Sequence, residues 1–440
     1  MPMTDSGHAY ARPDELRIGL YIDLEQGWMS HPFPKGNFKI TSARQIETLR
    51  GLGVERVRYV PARSDAAPLP TSEPAPLQTS GLPHGRADLG TPSAPDVMTD
   101  RESMLRRLHA AQIAGQRASL ESCDQQFDAA IRQYRRVVEQ IPHDPRSAAG
   151  QCRELVSSLV SDMLGQSESS IRLLSETTGD RAWMHPVNVT VLSLLLGKAL
   201  GMQAEPLREL GLAAFLHDVG KTQLPDRVRL SDASFAPAQH RQYQSHVALG
   251  VAIAQQLEFS AAVQATIAQH HEMLDGSGFP RQLRGTEISQ PGKVLALVNR
   301  YENLCNPARV SAAATPHEAL SLIFSQMKDR HDVTVLGAFI RMMGVYPPGS
   351  VVQLSDSRYA LVVSVNSTRP HKPRVMVHDP GIAKEEALLL DLEQAPAAGI
   401  RRSLRPDQLP RDAMDYLAPR LRICYFFERA ADPVRAEIVP

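Results

Sequence analysis

The sequence predicts a mainly α protein: a helical bundle, a small N-terminal β-rich (α+β) module before it and a C-terminal β-rich appendage after it. Three features carry this reading. Between residues 101 and 343, apolar residues recur at three- and four-residue spacing. Between residues 346 and 440 they gather in short β-type runs separated by Pro, Ser and Asp. Near the N-terminus, two runs of strand character, RIGLYIDL and VERVRYV, flank one short helical segment.

The elements follow in order. Residues 14–61 form the first module. Thr41 and Ser42 cap its helix, which ends near Gly51 or Gly53, and Trp28, His31, Pro32, Phe33 and Phe38 form an aromatic turn region. Residues 62–100 are rich in Pro, Ala, Ser and Thr with few large apolar side chains, the composition of a flexible linker. Residues 101–345 are read as the helical domain. Its first part, to about Thr178, is helical by period, is interrupted at His143-Asp144-Pro145 and is expected either to pack on the domain that follows or to form a dimer seam. A helix then begins at His185. A second opens at Glu205-Pro206, with Pro as the first helical residue and Gly220 closing it. A third lies between Ser234 and Leu257, and a fourth runs from Ser260, as N-cap, to His271. The fifth is GKVLALVNRYENL, and a sixth opens on a Thr315–Glu318 capping box. Residues 346–440 are the β-rich appendage.

Composition limits the classes of function. The chain has 440 residues, 48 basic and 48 acidic, so no net field favours a polymeric nucleic acid or an anionic membrane. The most apolar window, VTVLSLLLGKALG, is too short to span a bilayer and contains Lys198. The N-terminal residues lack the apolar stretch of a signal peptide, and Cys123, Cys152, Cys305 and Cys424 are scattered. Free thiols and a cytoplasmic location are therefore expected.

The chemistry concentrates in histidines. His270-His271 end an amphipathic run and enter a loop in which Gly276 and Gly278 permit positive φ and Pro280 stiffens the exit. His185, His217-Asp218 and His246 lie in other segments of the same helical domain. Neutral imidazoles and a carboxylate are the ligand set of hydrolytic metal centres, and the two oxygens of Asp218 suit it to bridge two ions. A single core histidine bonded to a backbone carbonyl is the ordinary alternative; four histidine-bearing segments in one domain shift the reading toward metal. His109 and Asp144 have no ligand-like neighbours and are expected to be solvated, His317 sits in a helix first turn and is expected to be structural, and His371 and His378 are expected at the surface.

The ordered set His185, HDVGK at 217–221, His246 and HHEMLDGSGFP at 270–280 resembles the HD-GYP subgroup of the HD superfamily, metal-dependent phosphodiesterases of cyclic di-GMP. The small N-terminal module is similar to one that precedes many such domains. The resemblance implies one divalent ion on His185, His217 and Asp218 and a second on Asp218, His246, His270 and His271. Iron or manganese would be the occupant, activating water for attack on phosphorus. It further implies a phosphate contact for Lys221, and substrate contacts near Asp275, Gly276, Gly278, Lys293 and Arg309. Gly278-Phe279-Pro280 stands where the subgroup has Gly-Tyr-Pro. Asn299 occupies a position where the subgroup has an Asp ligand, with Glu302 at its second acidic position. The neutral amide would bind metal more weakly. Two functions follow: an enzyme opening cyclic di-GMP to the linear dinucleotide or GMP, or a degenerate domain that binds cyclic di-GMP or a diguanylate cyclase partner without turnover.

Overall fold

In the computed structural model, residues 9–23, 37–51, 56–65, 96–165, 169–175, 180–230, 235–366, 369–370, 372–395 and 398–429 are described. The chain divides into two compact units, one of Met1–Ala114 with Pro396–Gly399 and one of Gly115–Ala395 with Ile400–Pro440.

The first unit contains β1 (Ala9–Ala11), β2 (Tyr21–Asp23), β3 (Asn37–Lys39), α1 (Ala43–Gly51) and β4 (Val57–Tyr59). The strands pair antiparallel in the order β1-β4-β2-β3. Ala11, Leu16, Leu20, Ile22, Ile40, Leu49 and Val57 form its core. Both strand runs read in the sequence contain strands, shorter than expected, and β1 and β3 are additional. The aromatic turn around Trp28 and most of the expected linker lie outside the described residues. Helix α2 (Asp96–Gln140) starts inside the segment read as linker to residue 100. Asp96 and Asp100 favour a helix start, and the Met, Leu and Arg residues that follow have high helix propensity.

The second unit holds α3 (Pro145–Leu164), β5 (Ser169–Leu173), α4 (Arg181–Ala199), α5 (Ala204–Leu216), α6 (Asp226–Arg229), α7 (Pro237–Gln244), α8 (His246–Gln256), α9 (Ala261–Gln269), α10 (Gln290–Cys305), α11 (Pro316–Met327) and α12 (Val333–Met343). The chain ends with β6 (Val351–Leu354), β7 (Tyr359–Asn366), β8 (Arg374–Val377), β9 (Leu389–Asp391), β10 (Ile400–Leu404), α13 (Arg411–Leu417) and β11 (Tyr425–Arg429). Helix α4 is buried continuously from Met184 to Gly197. A helix apolar on every side belongs at the centre of a bundle, and α5, α10 and α12 pack around it. The most apolar window of the sequence is thus core. No described helix is long and apolar enough to cross a membrane.

Caps set the helix starts. Ser260 accepts from Val263 N–H, Ser289 from Gly292 N–H, and Thr315 and Glu318 exchange capping bonds. Asp144, read as solvated, caps α3 by accepting from Ser147 N–H.

Five readings are corrected. His185 lies a turn inside α4, because Asp180 caps that helix at Ala182. Helix α5 begins at Ala204, so Pro206 is its third residue, and it ends at Leu216. Gly220 sits in a following 3-10 turn, Val219–Gln223. The expected third helix is two, α7 and α8, joined at Ser245. Ser169–Leu173, read as helix, is a strand at the heart of the C-terminal sheet. That sheet runs β10-β6-β7-β5-β11, with β8 on β7 and β9 on β8. Full burial of β5, paired on both sides, outweighs the helical period of its flanks. Finally, His378 packs its ring against Tyr416 and leaves only 10% of its side chain exposed.

Candidate metal centre

Three helix ends and one helix interior deliver the site. His217 and Asp218 follow α5, His246 opens α8, His270 and His271 follow α9, and His185 projects from α4. Three rings are fixed by the backbone three residues earlier. The Nδ1 of His217, His246 and His270 donates to the carbonyls of Ala214 (2.7 Å), Tyr243 (2.6 Å) and Ile267 (2.6 Å). Terminal helix carbonyls lack an intrahelical donor and are free for this. With the proton assigned to Nδ1, each Nε2 keeps a lone pair directed at Asp218. His185 differs: its Nδ1 meets Glu302 Oε2 of α10.

The two carboxylate oxygens of Asp218 face different histidines. Oδ2 lies 3.3 Å from His185 Nε2 and 3.5 Å from His217 Nε2. Oδ1 lies 3.6 Å from His246 Nε2 and 3.7 Å from His270 Nε2. The atoms fall into two groups, His185, His217 and Asp218, and Asp218, His246, His270 and His271.

These residues fit metal ions. The Nε2 lone pairs of His246 and His270 face each other at 3.2 Å with no proton to share. Buried Asp218 Oδ1 and His271 Nε2 have no hydrogen-bond partner. Such orphaned buried atoms are costly, and a cation among them removes the cost. Ligand atoms about 2.1 Å from a tetrahedral ion lie about 3.4 Å apart, within the spread of the separations above.

Protonation agrees. Burial pushes His246 down to about 4 and holds His270 and His271 well below the usual imidazole value, with neighbouring histidines adding to the effect. Burial alone would raise Asp218, but Lys221 and His217 outweigh it and hold the carboxyl well below its usual range. For His185 burial is likewise outweighed, by Glu302 and Asp218, and its value is raised.

The remaining expected residues divide. Lys221 Nζ pairs with Asp218 Oδ2 at 2.6 Å and lies 5.3 Å from the Tyr243 ring centroid, so it belongs to the site. Gly276 takes φ +79°, and Gly278 lies against the backbone of His271–Met273. A Cβ on Gly278 would come within 2.5 Å of the His271 carbonyl and Glu272 Cα. The glycine loop is thereby folded onto its own histidines, and Phe279 stacks on His271 at 4.4 Å. Asp275 bonds within the loop to Ser277 and pairs with Arg330. Lys293 pairs with Asp332 at 3.1 Å, and Arg309 is exposed beside a 3-10 turn. Asn299 is buried, but its Oδ1 accepts from Asn303 Nδ2 at 2.7 Å, so the amide is engaged along its own helix.

Sequence reasoning gave no role to Tyr243, whose ring lies beside His246 and Lys221, nor to the contact between Glu302 and His185. Tyr243 stands three residues before His246, a spacing that could have marked it. Glu302 lies 117 positions from His185, and nothing local joins them.

Two protein-family models match the chain: an HD domain over residues 152–335 and Domain of unknown function (DUF3391) over residues 12–152. The first spans every histidine of the centre. Residues 152–335 are thus similar to an HD domain. The chain is similar to the cyclic di-GMP phosphodiesterase PA4108 of Pseudomonas aeruginosa. The two chains are 27% identical over 382 residues, 82% of this chain and 83% of that protein. A cyclic di-GMP phosphodiesterase of Thermotoga maritima is 27% identical over 186 residues, 41% of this chain and 50% of its own length. The 3'3'-cGAMP-specific phosphodiesterase 1 of Vibrio cholerae is 27% identical over 34% of each chain.

Proposed function

We infer that this HD domain is a metal-dependent phosphodiesterase of the HD-GYP type that hydrolyses cyclic di-GMP to the linear dinucleotide or GMP. The observation that carries the metal chemistry is the division of Asp218, one oxygen toward His185 and His217, the other toward His246 and His270. The likeness to one cyclic di-GMP phosphodiesterase over most of the chain supports the substrate.

His185, His217 and Asp218 would hold one divalent ion, and Asp218, His246, His270 and His271 the second. Iron or manganese suits such a nitrogen-rich set with a carboxylate bridge. When bound, the ions activate water and neutralise charge on the phosphodiester. The protein supplies the rest. Helix carbonyls keep the Nε2 lone pairs pointed inward. Lys221 offers a point charge that can pass from Asp218 to a non-bridging phosphate oxygen. Tyr243 and Phe279 place apolar ring surface beside the histidines, which limits water there. The same reading brings a diguanylate cyclase as a partner, a homodimer and a cytoplasmic location.

A second reading is binding without turnover. It is favoured by Asn299, whose amide oxygen is already engaged and which adds no charge to the first ion. Protein reconstituted without air with iron(II) or manganese(II) decides between them. The hydrolase opens cyclic di-GMP, and His217→Ala with Asp218→Ala abolishes the reaction. Tight binding with no product under any metal identifies the binding module. Parallel assays with 3'3'-cGAMP test the choice of dinucleotide.

A further inference from the structure

The two halves of the centre are held by different means. His217, His246 and His270 are fixed by carbonyls three residues earlier in the chain. His185 alone is fixed by a distant carboxylate, Glu302, and that carboxylate is itself fixed from the C-terminal end of the chain. Asn306 donates through Nδ2 to Glu302 Oε1 (2.8 Å) and to the Ile423 carbonyl (2.8 Å), and its Oδ1 accepts the Ile423 N–H (2.8 Å). Asn188 donates through Nδ2 to the Ile423 carbonyl (3.1 Å) and to Glu302 Oε1 (3.5 Å), and its Oδ1 accepts the Tyr425 N–H (2.9 Å). Asn188, Glu302 and Asn306 are 0%, 2% and 3% exposed.

The orientation of both amides follows from chemistry. A backbone N–H only donates, so each Oδ1 must face residues 423–425. Each NH2 group is then forced toward the Ile423 carbonyl and Glu302 Oε1. That oxygen is saturated by two amide donors, and Oε2 remains for His185 Nδ1. Arg181 closes the network, donating to Asn303 Oδ1 and to the Asn306 carbonyl. Residues 423–425 lead into β11, which pairs with β5 in the C-terminal sheet.

We propose that Asn188 and Asn306 are positioning residues for the first metal ion, and that the strand entry Ile423–Tyr425 completes that ion's site by clamping Glu302. This rests on the two-ion reading of the centre. It makes the ions unequal: His185 binds only while the C-terminal sheet is in place, whereas the second ion depends on local helix geometry.

The test is metal binding by the full-length protein, with elemental stoichiometry after dialysis and competition against a chromophoric chelator. Wild type retains two ions. Asn306→Ala weakens one of them by about 10- to 100-fold, the range for loss of a partner supporting a ligand, and leaves the other unchanged. Asn306→Asp keeps the side-chain size and the acceptor for Ile423 N–H but sets a carboxylate against Glu302, so it is at least as damaging. Phe427→Leu, a core change in β11, lowers the melting temperature and leaves both ions in place. Two fully retained ions in Asn306→Ala, or equal loss of the first ion in Phe427→Leu, overturn the proposal. A wild type that binds no divalent ion overturns the two-ion reading itself, and the proposal with it.

Discussion

Asp218 is the residue at which the chemistry of this HD domain meets its electrostatics. It is buried among four imidazoles and one ammonium, and it stays ionised because Lys221 and His217 outweigh its desolvation. Replacing Lys221 by Met removes both that charge and the group available to a phosphate oxygen. The expected loss in kcat/KM for Lys221→Met is about 10²- to 10³-fold, the scale for removal of one positioned charge stabiliser, while metal content is retained. Steady-state kinetics with parallel metal analysis checks this. His185 sets a pH dependence. Burial opposes its charge, Glu302 and Asp218 favour it more, and its value rises above 6.5. In metal-free protein the ion pair therefore stabilises the fold fully below pH 6.5 and stops doing so as pH climbs through the raised value. Uptake of the first ion must displace that proton and should strengthen with pH over the same window. His246, neutral down to about pH 4, gives the second ion no such dependence there. Chelator competition at several pH values separates the two; identical slopes for both ions would contradict the assignment. At this scale much was legible. The spacing of His217-Asp218 and His270-His271 within helical periods pointed to one site. Glu302's grip on His185 was hidden, because contacts across 117 positions leave no local trace.

Among the elements, the turn after α5 matters most to the centre. Gly220 lets it lie directly on the start of α8: a Cβ there would fall 2.1 Å from the His246 carbonyl and 2.5 Å from the Gly250 nitrogen. Gly220→Ala should cost about 1–3 kcal/mol, the range for overpacking a tight contact, and should separate His217-Asp218 from His246. A fall in denaturant midpoint together with weaker metal retention is the expected pair of results; an unchanged midpoint would show that the backbone yields easily. Helix caps were readable because Ser260, Thr315 and Glu318 act within three residues. β5 was not, since its partners β7 and β11 lie some 190 and 250 positions later in the register. The break at Ser245 was also missed. QYQSHVAL carries neither Gly nor Pro, and beside the interruption there the Tyr243 carbonyl accepts from His246 Nδ1.

Taken whole, the second unit is a helical bundle centred on α4 joined to a sheet that draws β5 from before α4 and β6–β11 from after α12. Slowest amide exchange is expected in α4, whose residues 184–197 are all buried, and faster exchange in α7, where Tyr243 alone is buried. The reverse order, read by hydrogen–deuterium exchange, would deny α4 its central place. The sequence announced both the bundle and the β-rich end through their differing periods. It could not announce that the entry to β11 reaches back to Asn188 and Asn306, because register and packing decide that.

In the proposed centre Asp218 and five histidines would together hold two divalent ions. Elemental analysis of anaerobically purified protein, wild type beside Asp218→Ala, tests it most directly. Two ions per chain in the wild type, and loss of both in the variant with the fold retained by circular dichroism, is the expected result. A metal content that does not change when Asp218 is removed, or a wild type that holds none, would contradict it.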